Sequence, residues 1–476
     1  MKNVYLNTFL FAVLFSALTC TLFAQSTIIK LPTVGTSSNF LVNDSANTTL
    51  MKLNADGGFC VFGNTGTGTI PATGSGTRLM WYPYKYAFRA GYVGGAQWND
   101  ANVGGYSTAT GYNTTASAFY STATGFSTTA SASSSTAMGY STTASNFAST
   151  AMGYQTNAGG TASTAMGFQT TAGKNYSTAM GYQTMANGDY STAMGDSTTA
   201  SGLYSTSMGY HTIASGISST AMGDHATATG FASTAIGYLT TAAGYASVAM
   251  GDPTVAIGDY SIAIGHEVTA EGDCSIVLGN YAATTKDHKG SFIFSDASNE
   301  SRIISSRDQQ MTMRFAGGYR LYSDPDGKIG VFLPPGYNEW QKESDSTKKE
   351  LFAQANGEYF LNSLAQLRLG SWNYKVQNAK HFRHYGPMAQ EIFHYFGKDE
   401  YGTIGNDTTL GTGDVDGIMM ICLQALEKRT IELKTALSEL QKANDKIALM
   451  ENRMEKLEQM IASTSTDDKQ KNTSGK

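Results

Sequence analysis

The sequence is short of what usually anchors a reading of function. Cysteine occurs four times in 476 residues, at Cys20, Cys60, Cys274 and Cys422, too far apart for a disulfide framework or a metal-ligand motif. Charged residues make up 14% of the chain, the formal charge is −5 and the pI about 5.8, which argues against a generic nucleic-acid binder. Between positions 104 and 265 the only Lys or Arg is Lys174, so that surface is nearly neutral. No Gly-rich phosphate loop or paired-carboxylate motif stands out, and no cofactor or metal is expected. His381 and His384, with Glu391 downstream, offer at most a weak metal set without a third ligand at diagnostic spacing. Long apolar runs are scarce as well. The run from Phe9 to Phe23 follows Lys2 and ends at Ala24-Gln25, which is the layout of a signal peptide over residues 1–24. A retained anchor is the rival reading, although the run is short for a span. Cys20 raises lipoprotein attachment, but Ala17 stands where a leucine is usual. No later segment is expected to cross a bilayer as a helix.

What the chain has in quantity is strict repetition. Glycine recurs every fourteen residues from Gly111 to Gly279 without a slip, thirteen times. Ser stands four positions before each of these glycines, as in Ser177-Thr178-Ala179-Met180-Gly181. A weaker signal half a period later comprises Gly188, Gly202, Gly216, Gly230, Gly244, Gly258 and Gly272. A fixed short period marks a solenoid, and fourteen residues with a turn signal every seven fit two short strands joined by tight turns. Glycine is expected to supply the positive φ of those turns and to let the next coil approach. Ile262 and Ile264, then Ile276 and Leu278, lie two apart and share a face, which predicts that these positions point inward. Ser and Ala would then face outward, where another copy of the chain can come close. At ~4.8 Å per coil the array spans on the order of 60 Å. A disordered Ser/Thr/Gly linker is the competing reading, but a linker has no reason to hold phase.

This block, assigned to residues 104–283, resembles the head repeat of YadA-like trimeric autotransporter adhesins. The resemblance implies a parallel β-roll, three chains packed side by side, and a secreted or cell-surface location. It also implies a host-surface protein or glycan as receptor. The early coils depart from it, with Thr110 and Thr124 at the apolar position. No C-terminal β-barrel is recognisable, so a complete autotransporter is not expected.

Residues 25–103 read as a β-rich cap region. Its aromatic and basic patch, Arg78 to Arg89, fits either the end plug a solenoid needs or a platform for carbohydrate or nucleic acid; the plug is preferred. Residues 284–339 read as a β connector, with strands at Ser291–Phe294 and Met311–Phe315. From Leu426 to Ile461 apolar residues recur at alternating four and three, with a stammer at 437–440–443, which predicts a coiled coil over 426–462. A lone amphipathic helix on a globular body is the alternative. The tail, 463–476, is polar and expected to be disordered.

Residues 340–425 resemble the C-terminal intramolecular chaperone of phage tailspikes and tail fibres, the peptidase S74 family. The matching pieces are Trp340 with Ser344-Asp345-Ser346-Thr347-Lys348-Lys349, then Leu364-Ala365-Gln366-Leu367 with Trp372-Asn373-Tyr374-Lys375, then Tyr385-Gly386-Pro387-Met388-Ala389-Gln390-Glu391. Asp416-Gly417 leading into a long helix completes the order. The resemblance implies a domain that assembles a trimer of the upstream fibre and then cuts itself free before a serine. Carried over, Ser344 is the nucleophile, Lys349 the general base, and Glu343–Ser344 the bond cut. Such a step needs a neutral lysine, through burial or a nearby cation such as Lys348. Ser346 and Thr347 stand where the family has Arg, so folding without cleavage is the rival, as is Ser344-Asp345 acting only as a helix cap. The expected molecule is a homotrimeric, mainly β, adhesin-like fibre. The other classes are a protease acting in cis and a phage-type tail fibre, against which the signal peptide argues.

Overall fold

The computed structural model describes residues 39–54, 57–63 and 66–471, with side chains as far as 464; the predicted signal peptide and Cys20 lie outside them. The chain divides into two compact units, essentially residues up to 321 with 332–340, and residues 341 onward with 322–331.

The first unit is dominated by a parallel β-roll. Each coil contributes a five-residue strand and a two-residue strand, as at Thr178–Tyr182 and Met185–Ala186. The long strand pairs in register with its equivalents fourteen residues before and after, Gly181 facing both Gly167 and Gly195. The coil turns at two residues seven apart that adopt left-handed backbone, Gln183 (φ 50°) and Tyr190 (φ 56°) in this coil. The corner residues are not the glycines that the sequence suggests, although Gly181 and its equivalents carry positive φ of their own. Both glycines serve the predicted close approach of the next coil. A Cβ on Gly181, itself at φ 126°, would lie 2.0 Å from the carbonyl oxygen of Gly195, and one on Gly188 would lie 2.0 Å from that of Gly202. At position 253 the corner residue is proline, whose ring forbids left-handed backbone. From that coil on the two strands run as one, Val248–Ala256, Ile262–Ala270 and Ile276–Thr284, although Glu267 and Tyr281 are again left-handed.

The predicted facing is inverted. Ser177, Ala179, Thr184 and Ala186 are fully buried, and the same four positions are buried through most of the roll. Thr178 and Met180, in the positions expected inside, are half-exposed on the outer face. A fourteen-residue coil is too thin to take Met or Ile between its two walls, so side chains no larger than Ala, Ser, Thr or Val fill it. Serine is tolerated there because its hydroxyl turns back on the chain: Ser191 Oγ donates to the carbonyl of Gly188 at 2.6 Å, and Ser121, Ser135, Ser149, Ser163 and Ser177 in the earlier coils likewise donate to the carbonyl three residues back. The interior widens toward the end of the roll, where Val268, Val277 and Ile293 are buried.

The roll also outruns its predicted bounds. Ala87–Val93 already pairs parallel with the first coil, and Phe292–Ser295 and Met311–Arg314 continue the ladder beyond residue 283. Sixteen- and nineteen-residue spacings hid these last coils from a fourteen-residue rule. The open first coil is closed by residues 78–98, which include the aromatic and basic patch Arg78 to Arg89. Trp98 is buried and donates from Nε1 to the Thr114 carbonyl at 2.9 Å. Arg89 is also buried, giving its guanidinium to the carbonyls of Ser107 and Ala116 at 2.9 Å each, and burial lowers it to about 10. Arg89 of the aromatic and basic patch, with Trp98 beyond it, thus fills the end of the roll. Tyr82 is buried too and donates to Asp100 at 2.8 Å.

In the second unit a short helix, Gly357–Leu364, a hairpin of Gly370–Trp372 with His384–Gly386, and a second short helix, Ala389–Phe396, precede one long helix, Thr412–Lys471. Leu367, Phe396, Ile418 and Cys422 form its small core, with Phe360, Leu361, Leu364, Ile392 and Tyr395 against them. The long helix passes Ser463, where disorder was predicted. Extending a helix avoids the nucleation that starting one requires, and Ser463 and Thr464 return hydrogen bonds to Met460. None of the helices is long and apolar enough to cross a membrane, among the described residues.

Candidate functional site

The predicted dyad, Ser344 and Lys349, flanks a single turn of 3₁₀ helix, Ser346–Lys348. Asp345 starts that turn by accepting a hydrogen bond from Thr347 N at 2.9 Å, which holds its carboxyl below the usual carboxylate range. The capping role thus falls to Asp345 alone, and Ser344 is left out of it. The turn folds the chain back so that Lys349, five residues on, donates from Nζ to Ser344 Oγ at 2.7 Å. The predicted nucleophile and base are brought together by this local geometry, and both are exposed. Lys348 points its ammonium at Glu343 instead, and that carboxylate raises its pKa. The cation expected to disfavour charge on Lys349 is therefore engaged with the residue on the other side of the predicted cleavage bond.

Several supporting residues carried no clear signal in the sequence. Asn356 caps the Gly357–Leu364 helix through Tyr359 N at 3.2 Å; an Asn before Gly-Glu could have been read as a cap. Gly357 lies against the long helix so closely that a Cβ would meet the Ala425 side chain at 2.7 Å. Glu358 forks onto Arg429 of that helix, with Nε 2.9 Å from Oε2. Lys342 Nζ reaches Thr412 Oγ1 at 2.8 Å, tying the chain just before the dyad to the start of the long helix.

The weak metal set is dispersed into other work. His384 Nε2 lies 3.0 Å from Gln377 Oε1 with its ring against Trp372, and Glu391 is held by Arg368, whose N donates at 3.0 Å. Along the long helix, Leu433, Leu437, Leu440, Ile447, Met450, Met454, Leu457 and Ile461 are all roughly half-exposed, with no partner for the seam within one chain.

With this geometry in hand, two family models match the chain. Residues 103–252, in overlapping windows, and residues 256–282 match the YadA head domain repeat. Residues 344–398 match the chaperone of endosialidase, Peptidase_S74, beginning at the predicted nucleophile. Together they cover under half of the chain. No curated protein matches it.

Proposed function

We propose that the protein is a secreted or surface-exposed homotrimeric fibre, adhesin-like in its β-roll, whose second unit sets three chains in register and then separates by cleavage before Ser344. The observation that carries this reading is the pair of unpartnered apolar strips: the Thr/Met ladder on the outer face of the roll and the seam of the long helix. Half-exposed Leu, Ile and Met repeated at coiled-coil spacing are costly to leave in water, and association of copies removes them from it. A three-fold assembly fits both elements and agrees with both family matches.

In the cut itself, Ser344 Oγ passes its proton to the neutral amine of Lys349 and attacks the Glu343 carbonyl carbon. The Glu343–Ser344 C–N bond breaks, the leaving nitrogen takes that proton back, and an ester remains between Glu343 and the serine oxygen. Water then hydrolyses the ester. Burial is what disfavours an ammonium, and the turn is exposed in one chain, so the cut waits on the neighbouring chains to cover it. Cleavage after assembly, and not before, follows from that dependence. A fibre that assembles without cutting is the second reading, favoured by Ser346 and Thr347 where the family has Arg.

Light scattering of the purified protein should give three times the chain mass, and a stable folded monomer at micromolar concentration would refute the assembly. Mass spectrometry should find a new N-terminus at Ser344. Ser344→Ala and Lys349→Ala should abolish it while leaving the trimer intact. A new terminus at 344 in Ser344→Ala would refute the dyad. An uncut parent that Thr347→Arg does not revive would establish the second reading.

A further inference from the structure

We propose that the corner of the roll beside the plug binds a neutral saccharide, an inference that rests on the adhesive reading above and gives it a ligand class. A groove of about 490 Å³ opens there, lined by Tyr84, Lys85, Tyr86, Tyr106, Ser117 and Phe119. That is the size of a small-ligand site. The Gly104-Gly105 backbone also lines it, and a Cβ on Gly105 would meet the Phe119 ring at 2.7 Å, so glycine lets that ring lie close against the backbone.

The rings are of two kinds. Tyr86 stacks on Tyr106 at 4.6 Å and 3°, and Tyr106 on Tyr120 at 5.1 Å and 14°, so these three cover much of one another's faces and form a wall. Tyr84 makes only a tilted contact with Tyr82 (6.0 Å, 38°), and Phe119 only a tilted contact with Tyr120 (6.2 Å, 50°), among the described residues. The flat faces of Tyr84 and Phe119, which are 47% and 57% exposed, are therefore not taken up by stacking. An open aromatic face is electron-rich and attracts polarised C–H groups. A pyranose ring offers such groups on its face and hydroxyls around its edge, which suits two open rings beside a wall of phenol hydroxyls and Ser117.

Charge selects among saccharides. Lys85 is the one charged residue lining the groove, and its ammonium is already paired with Asp100 at 3.1 Å and donates to the Asp100 carbonyl at 2.5 Å. No free cation is left for a sulfate or carboxylate, and no free acid for an amino sugar. The groove also lies at a coil corner, whereas the Thr/Met ladder lies on the strand face, so chains joined through that ladder leave the groove open.

The test uses the full-length protein and isothermal titration with four probes: cellotetraose, maltotetraose, tetra-N-acetylchitotetraose and, as the charged control, a heparin tetrasaccharide. At least one neutral probe should bind, and the heparin probe should not. Tyr84→Ala and Phe119→Ala should each weaken binding about tenfold. Both substituted side chains are exposed, and circular dichroism of each variant checks that the roll persists. Binding by no neutral probe, binding that survives the double variant, or binding of heparin alone would each overturn the proposal. Light scattering on the same samples separates the two readings: a monomer that binds refutes the fibre and supports the site, whereas a trimer that binds none of the probes refutes the site alone.

Discussion

Ala179 has no exposed surface, and the space around it is that of a coil only two thin strands deep. Interiors packed to this density resist enlargement, so Ala179→Leu should lower stability by about 2 kcal/mol, whereas Met180→Leu on the outer face should be nearly neutral. Thr184 presents the opposite case. Its hydroxyl is buried without a hydrogen-bond partner, as are those of Thr114, Thr128, Thr142, Thr156, Thr170 and Thr198. Valine has nearly the same shape and lacks the hydroxyl, and Val268 already occupies the equivalent position in a later coil. Thr184→Val should therefore raise stability by about 1 kcal/mol in thermal or denaturant unfolding. These positions also explain what was and was not legible in the sequence. The period was, because thirteen glycines keep phase. The facing was not, because Ile262 and Ile264 are the most apolar residues in their coil and the eye places them inside. Coil thickness overrides hydrophobicity there, and nothing in the pattern of a single coil announces its thickness.

At the scale of the element, the plug and the dyad turn differ in how openly the sequence shows them. A run of aromatics with Arg at the start of a solenoid needs little interpretation once the solenoid is recognised, because an end coil must hide its apolar interior and satisfy its carbonyls. Arg89 and Trp98 do both. The turn at Ser346–Lys348 was legible only through a family motif, since five residues between serine and lysine set no distance until Asp345 caps the turn. The plug carries a pH dependence. The Asp100 carboxyl lies below its ordinary value, first because the Tyr82 hydroxyl donates to it and next because of Lys85. A carboxyl depressed in the folded state adds stability above its unfolded pKa of 3.8, and that contribution is lost as pH falls through the lower, folded value. Below about pH 4 the fluorescence of Trp98 should begin to report a loosened plug, and Asp100→Asn should flatten that acid dependence while weakening the plug at neutral pH. A variant that keeps the full acid transition would show that Asp100 is not its source.

For the whole molecule, the division of labour is the point at issue. Coils pair mainly with their immediate neighbours, so one roll can grow from any start, but in the proposed trimer three rolls must begin together. Deleting residues 340–476 from the gene should therefore yield misassembled roll, seen as broad, heavy species in light scattering. Removing the same residues by protease from an already formed trimer should leave its melting nearly unchanged. Normal trimers from the truncated gene would refute the chaperone role.

The in-register pairing of the coils has a mechanical side. Strands run across the roll, so the hydrogen bonds joining one coil to the next point along its axis. A tether pulled from its two ends would load them in series and peel coils away singly, at modest force. Each fourteen-residue coil occupies ~4.8 Å while rolled and ~48 Å when drawn out, so every coil surrendered lengthens the tether roughly tenfold over what it filled. A cell or particle held by such a tether in flowing liquid would be given slack in small steps, and the bond at its far end would be spared the full jolt.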